Sequence, residues 1–307
     1  MRPGRPKQSG PAAPAKPGRQ PNWPLLIFAL LAAAALLLVL APGALADVLT
    51  PEDGGSPNAD DIDLLYKITL GIAVLIFLLV EGTLIWSLLR YRYRRGGPEP
   101  EQIRGNTPLE IGWTVGAALI LVVLTAVTFI YLDDIKNPPP SGSQGLQFAT
   151  VDQPDPPGNE KLEIAVNGQQ YLWRYDYPGD RQVFSYYEMV VPVDTTVVLK
   201  IRASDVIHSW WVPRLGGKAD GVPGHTNETW FKVPPDKAGA IFEGTCAELC
   251  GEGHADMRAR VRAVTPEEFE AWLDQQATDI AEAQRLLPAQ RIARSRGQEQ
   301  PAATQPE

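Results

Sequence analysis

The stretch Cys246-Ala-Glu-Leu-Cys250-Gly-Glu-Gly-His254-Ala-Asp-Met257 gathers the soft donor atoms of the chain into one loop, in the pattern C-x-E-x-C-x3-H-x2-M. A further histidine, His208, lies 38 residues before Cys246. Two thiolates, two imidazoles and a thioether form a nitrogen–sulfur set suited to copper, whereas zinc has no need of the methionine. One cysteine with two histidines and a methionine would make a mononuclear blue-copper centre. A second cysteine changes the count, because two thiolates can bridge two copper ions and leave one histidine for each, with Met257 and a backbone carbonyl as weak ligands. A Cys246–Cys250 disulfide is the plain alternative in an exported domain, but it gives His254 and Met257 no task. Taken alone, His208 would read as a satisfied core histidine. At a strand end, followed by Ser209-Trp210-Trp211-Val212-Pro213, it is the expected partner of the loop. His225, in Pro223-Gly224-His225, has no such company and reads as a surface residue.

Outward from the loop the sequence is β-rich. Runs at Leu162–Val166, Tyr171–Tyr177, Val183–Val191, Thr195–Ala203, Thr229–Val233, Ala240–Glu243 and Arg258–Val264 are separated by Gly, Pro and Asp turns. That spacing predicts an all-β sandwich over 161–264, and the lack of an intervening long amphipathic helix argues against a parallel α/β fold. Thr265-Pro-Glu-Glu268 supplies an N-cap, a proline at the first helical position and a capping box, so a short C-terminal helix is expected over 265–287. Residues 288–307 are polar and are expected to be disordered.

Before the sandwich, 133–160 is rich in Pro, Gly, Ser and Gln and reads as a linker. Two apolar runs, Ile68–Leu89 and Ile111–Leu132, are each long enough to cross about 30 Å of hydrocarbon, which places membrane helices at 64–90 and 109–132. The link between them, 91–108, carries Arg92, Arg94, Arg95 and Arg104 against Glu99 and Glu101, so it faces the cytoplasm and 47–63 lies outside. Residues 1–46 have five basic and no acidic residues, an apolar run and Ala44-Leu45-Ala46, the pattern of an export signal cut after Ala46. The competing reading is an uncleaved membrane helix. Glu81, inside the first span, is costly in lipid and is modest evidence for a larger membrane complex.

The 307 residues carry 28 Lys+Arg against 36 Asp+Glu, which speaks against nucleic-acid binding. Within 133–286 there are 24 acidic and 14 basic residues, a balance that favours a cationic partner. Two cysteines exclude a disulfide-dense scaffold, and no C-x-x-C-H attaches a haem.

The two spans, Ala203-Ser-Asp-Val-Ile-His208-Ser-Trp, Gly216-Gly-Lys-Ala-Asp-Gly-Val-Pro-Gly224 and the cysteine loop together resemble subunit II of the haem-copper cytochrome c oxidases, the kind that bears binuclear copper A. The resemblance runs from about residue 60 to 264 and implies a cupredoxin-like Greek-key β-sandwich behind a two-helix membrane hairpin. It implies that Cys246 and Cys250 bridge two copper ions, that His208 and His254 each bind one, and that Met257 and the Glu248 carbonyl are weak ligands. The Glu248 side chain would also reach a magnesium ion shared with subunit I. Glu110 resembles the glutamate at the mouth of a proton pathway, its alternative being a charge favoured by a helix N-terminus. In Gly168-Gln-Gln-Tyr171-Leu-Trp173-Arg-Tyr175 the family's usual electron-accepting tryptophan aligns with Tyr171, and Trp173 with the second tryptophan, a departure that leaves two aromatic candidates. Asp176 and Asp205 are implied to lie on a cytochrome c docking face. The implied setting is the cell membrane with the copper domain outside, alongside subunits I and III.

A membrane-tethered copper chaperone also uses C-x3-C and a distant histidine. There the cysteines come early in a βαβ pattern with the histidine after them, whereas here His208 precedes the pair. A quinol-oxidase subunit has no use for the full donor set, and a nitrous-oxide reductase needs a propeller for which there is no room.

Overall fold

The computed structural model describes residues 54–92, 101–146 and 161–295. The expected export signal, 1–46, lies outside the described residues, as do 93–100 in the link, 147–160 in the linker and 296–307 in the tail. The chain divides into two compact units, one containing 73–92 and Glu101 and the other containing 54–72 and 102–295.

Helix α1 (Pro57–Arg90) starts seven residues before the apolar pattern predicts, because Ser56-Pro57 already supplies a favourable helix start and Asp60 complements the dipole in the first turn. Its stretch from Ala73 onward exposes Leu75, Phe77, Leu79, Leu84 and Leu88. Helix α2 (Thr107–Lys136) is capped by Asn106, whose side chain accepts the Leu109 N–H, and stops before Pro138-Pro139-Pro140. It buries none of its residues and exposes Leu119, Leu121, Val122, Phe129 and Ile130. At 34 and 30 residues the helices measure about 50 and 45 Å, more than a bilayer core requires.

The β-domain has ten strands: β1 (Lys161–Gln169), β2 (Leu172–Asp176), β3 (Phe184–Tyr186), β4 (Glu188–Pro192), β5 (Thr196–Ala203), β6 (His208–Trp211), β7 (Ala219–Gly221), β8 (Asn227–Lys232), β9 (Ile241–Cys246) and β10 (Arg258–Val264). They form two five-stranded sheets, β3-β2-β1-β5-β8 and β4-β10-β9-β6-β7, the expected cupredoxin-like sandwich. Side chains alternate in and out along β2, so Trp173 and Tyr175 both enter the core beside Trp210, Phe231 and Phe242. Two pairings are parallel, β1 with β5 and β4 with β10.

Three further expectations are corrected. The single run Val183–Val191 is two strands in different sheets, because Tyr187 adopts φ 63° and turns the chain from β3 into β4. The segment 133–160 is only partly a linker. Asp133–Lys136 completes α2, and Leu146 is buried with its N–H on the Thr195 hydroxyl at 2.8 Å. Helix α3 (Pro266–Ser295) has the predicted capping box, with Glu268 N–H on Thr265 Oγ1 at 3.3 Å and Thr265 N–H on Glu268 Oε2 at 3.0 Å, yet it runs through Pro288. Residues 288–295 are therefore helical. Proline forfeits one backbone bond, but Ala, Gln and Arg after it favour helix and resume the ladder.

Candidate metal centre

His208 opens β6 and Cys246 closes β9, and these strands are hydrogen-bonded neighbours with Trp210 opposite Cys246. The Cys246 N–H also reaches the Met257 carbonyl at 2.9 Å, so the loop leaves β9 and returns into β10 at nearly the same point. This closure carries Cys250 and Met257 inward, while His254, on a short 3₁₀ turn, stays half-buried.

The donors converge. The two Sγ atoms lie 3.9 Å apart, and both thiols are free and buried. Cys246 Sγ is 4.0 Å from His208 Nδ1 and 3.3 Å from the Glu248 carbonyl. Cys250 Sγ is 3.6 Å from His254 Nδ1 and 3.9 Å from Met257 Sδ. Each of these six predicted residues thus contributes an atom to one cluster, Glu248 through its backbone only, since its side chain is exposed. The Sγ–Sγ separation is far from the ~2.05 Å of a disulfide. The donor set fits soft metal chemistry, with both imidazoles presenting Nδ1 and a thioether at hand. Burial, and after it the neighbouring Cys246, pushes the Cys250 thiol up to about 11, so a metal must displace its proton.

The surroundings aim these atoms. His208 is fully buried, and its Nε2 lies 2.8 Å from Asp205 Oδ1, which fixes the ring with Nδ1 toward Cys246. Asp205 also accepts the Gln170 N–H at 2.7 Å and the Val206 N–H at 2.7 Å. Burial raises the Asp205 carboxyl, but the Gln170, His208 and Val206 hydrogen bonds outweigh it and hold the group below its ordinary range. Gly168 is required here, since a Cβ would come within 2.9 Å of the His208 ring and 3.0 Å of the Trp173 ring. Gln170 Nε2 donates to the Cys250 carbonyl at 2.6 Å, tying the β1–β2 turn to the cysteine loop.

Sequence reasoning missed Gln170 and Gly168 as supports, and it assigned Asp205 to docking alone. An acid three residues before a ligand histidine was the available signal for Asp205. Asp176 is paired with Arg174 at 2.7 Å and so is partly neutralised. Of the two aromatic candidates, Trp173 is completely enclosed, edge-on to His208 at 5.9 Å, while Tyr171 is half-buried over Gly251 and Gly253. The Trp173 Nε1–H and the Ser209 hydroxyl are buried with no hydrogen-bond partner among the described residues. Glu110 is exposed near the start of α2, where its Oε1 accepts the Asn106 N–H at 3.1 Å, a reciprocal cap. His225 is exposed.

The family model described as cytochrome c oxidase subunit II, periplasmic domain, matches residues 181–264, and that described as the transmembrane domain of the same subunit matches 46–130. A cytochrome c oxidase subunit 2 of Alkalihalophilus pseudofirmus is 35% identical over 244 residues, covering 79% of this chain, and the chain spans 66% of that relative's length. The subunit 2 of Cereibacter sphaeroides is 30% identical over 283 residues, covering 78% of this chain and 86% of its own. The crystal structure of the periplasmic domain of subunit II of cytochrome oxidase (CoxB) of Bradyrhizobium japonicum is 31% identical, with a TM-score of 0.36, and covers 43% of this chain and 99% of that one.

Proposed function

From the premise that the chain belongs to the cytochrome c oxidase subunit II family, we propose that it accepts electrons from cytochrome c at a binuclear copper centre and passes them to a haem-bearing subunit I in the same membrane. One observation carries the reading: two buried thiols 3.9 Å apart, each with an imidazole Nδ1 within 4.0 Å. Cys246, Cys250, His208 and His254 would hold the two ions, with Met257 and the Glu248 carbonyl as weak donors. Copper held by these residues would supply one-electron redox chemistry.

The remaining work belongs to the chain. Asp205 and Gly168 hold the His208 ring in place, Gln170 holds the Cys250 carbonyl, and the sandwich core excludes water from the thiols. Tyr171, the outward member of the aromatic pair, is the surface over which electrons arrive, and Trp173 lies behind it against His208. Asp176, Asp205 and the acidic field of the domain steer a basic cytochrome c, an effect screened beyond about 10 Å at 0.1 M salt. The exposed Glu248 carboxylate is free to meet a magnesium ion at the boundary with subunit I. Glu110 gathers protons on the cytoplasmic side in addition to capping α2. The assembly, which includes subunit III, sits in the cell membrane with the β-domain outside, after removal of 1–46.

Metal analysis with electron paramagnetic resonance on the full chain in detergent tests the reading. Two coppers sharing one unpaired electron are expected, and a single-copper spectrum or a zinc-only protein overturns it. Tyr171→Ala is expected to slow transfer after docking without changing the salt dependence of association, whereas Asp176→Asn should flatten that dependence. A silent Tyr171→Ala beside a severe Trp173→Ala moves the arrival point to the inner ring. Glu110→Gln is expected to slow proton uptake with copper content intact, and an unchanged rate leaves the glutamate as a cap alone.

A further inference from the structure

The edge strand β8 has β5 on one side only, so backbone groups on its other side lack a strand partner. Two segments outside the sandwich attach there. The Trp230 carbonyl accepts Asn58 Nδ2–H at 2.8 Å, and the Lys232 N–H donates to Ser56 Oγ at 2.9 Å, so the first turn of α1 completes the edge. The fit is close. Gly216, at φ 132°, leaves room for the Asn58 amide, which a Cβ there would approach to 2.5 Å, and a Cβ on Gly55 would come within 2.4 Å of the Phe242 ring. The same Trp230 turns its indole N–H to the Ile135 carbonyl at 2.9 Å. Ile135 is in the last turn of α2, where carbonyls have no intrahelical donor, so the indole caps the helix. Beyond it, the Pro139 carbonyl accepts the Thr196 hydroxyl at 2.7 Å and the Gly142 N–H reaches the Asp194 carbonyl at 2.7 Å. Lys232 pairs with Asp194 at 3.1 Å and donates to the Pro140 carbonyl at 3.2 Å.

One buried residue therefore grips the outward ends of both helices, α1 through its carbonyl and α2 through its indole. Its neighbour Phe231 stacks on Trp210 at 6.2 Å and 12°, and Trp210 stands opposite Cys246 in the β6–β9 pairing. We infer that Trp230 is a positioning residue that locks the copper-binding domain to the membrane helices, fixing the separation between the thiol pair and a redox group held by the partner in the membrane. This rests on the electron-transfer reading above. Membrane anchoring alone needs only the covalent chain. A doubly bonded tryptophan at a completed sheet edge restricts orientation as well, and onward transfer is the step that depends on orientation.

Trp230→Phe removes the indole donor and keeps the ring. Asn58→Asp removes the amide donor and keeps the oxygen that receives the Ser56 hydroxyl. In the assembled oxidase both variants are expected to keep wild-type copper content, binuclear resonance and electron uptake from cytochrome c. Transfer from the copper centre to the partner's haem should fall about tenfold, as small displacements of reacting groups can cost. Amide hydrogen exchange over 55–60 and 227–232 should quicken in the same samples. An unchanged onward rate in both variants, even with faster exchange, overturns the inference and leaves the contacts as stabilising only. Loss of copper in both also overturns it, since Trp230 then serves folding in general. A unaltered chain without the binuclear signal instead fails the electron-transfer reading, a result seen before any substitution is made.

Discussion

The cysteine loop and the β8 edge are both places where chain outside the regular sheets closes onto the sandwich, and they are closed by different chemistry. At β8 the outward Trp230 carbonyl and Lys232 N–H meet Asn58 and Ser56, and the indole of Trp230 meets Ile135. Around the cysteine loop the sulfur, imidazole and carbonyl donors face one another at 3.3–4.0 Å. Soft donors gathered at one buried point suit a shared metal, whereas the β8 contacts are hydrogen bonds saturated by protein groups.

The sharpest break of this contrast is Cys250→Ser. If the loop holds two thiolate-bridged coppers, the shared-valence resonance should vanish entirely, and a normal binuclear spectrum in the variant would sink the assignment. Next in size is Asp205→Ala, which frees the back of the His208 ring. Copper affinity should fall about 10–100-fold, measured by competition with a chelator, because groups behind a ligand orient it. An unchanged affinity would mean that packing against Trp173 and Gly168 is enough.

A pH series sharpens the same point without mutation. The Cys250 thiol, raised to about 11, is protonated at neutral pH, so copper uptake must release protons and the apparent affinity must climb with pH. Calorimetry in buffers of different ionisation heat would show the release. In the metal-free chain the folded state binds that proton more tightly than the unfolded state does. Stability is therefore lost as pH rises from the ordinary 9.0 toward about 11, and a metal-free melting temperature flat over that window contradicts the assignment.

At the finished edge, Ser56→Ala should cost about 1–2 kcal/mol in chemical denaturation and leave the copper resonance untouched. Smallest is Met257→Leu, nearly equal in volume, with a stability change below about 1.5 kcal/mol. Its effect should be a shifted potential with both coppers retained, because a thioether bonds weakly. Loss of a copper in that variant would promote Met257 to a principal ligand.

The sequence by itself determined what depends on short-range pattern. Two apolar runs of spanning length, the alternation that sends Trp173 and Tyr175 inward, the Thr265–Glu268 capping box and the C-x-E-x-C-x3-H-x2-M donor set are all written within a few residues of one another. His208 was legible because a histidine at a strand end near two tryptophans had few other uses. Tertiary structure decided what depends on residues far apart in the chain. It placed Asp205 behind His208 rather than on a docking surface alone, enclosed Trp173 while leaving Tyr171 half-open, and brought Gln170 across 80 residues to the Cys250 carbonyl. It also split Val183–Val191 between two sheets at Tyr187 and joined Asn58 to Trp230 across 172 residues. Local pattern reports how a side chain suits its own helix or strand. Which edge lacks a partner, and which donor fills it, is fixed only when both sheets have closed on the core.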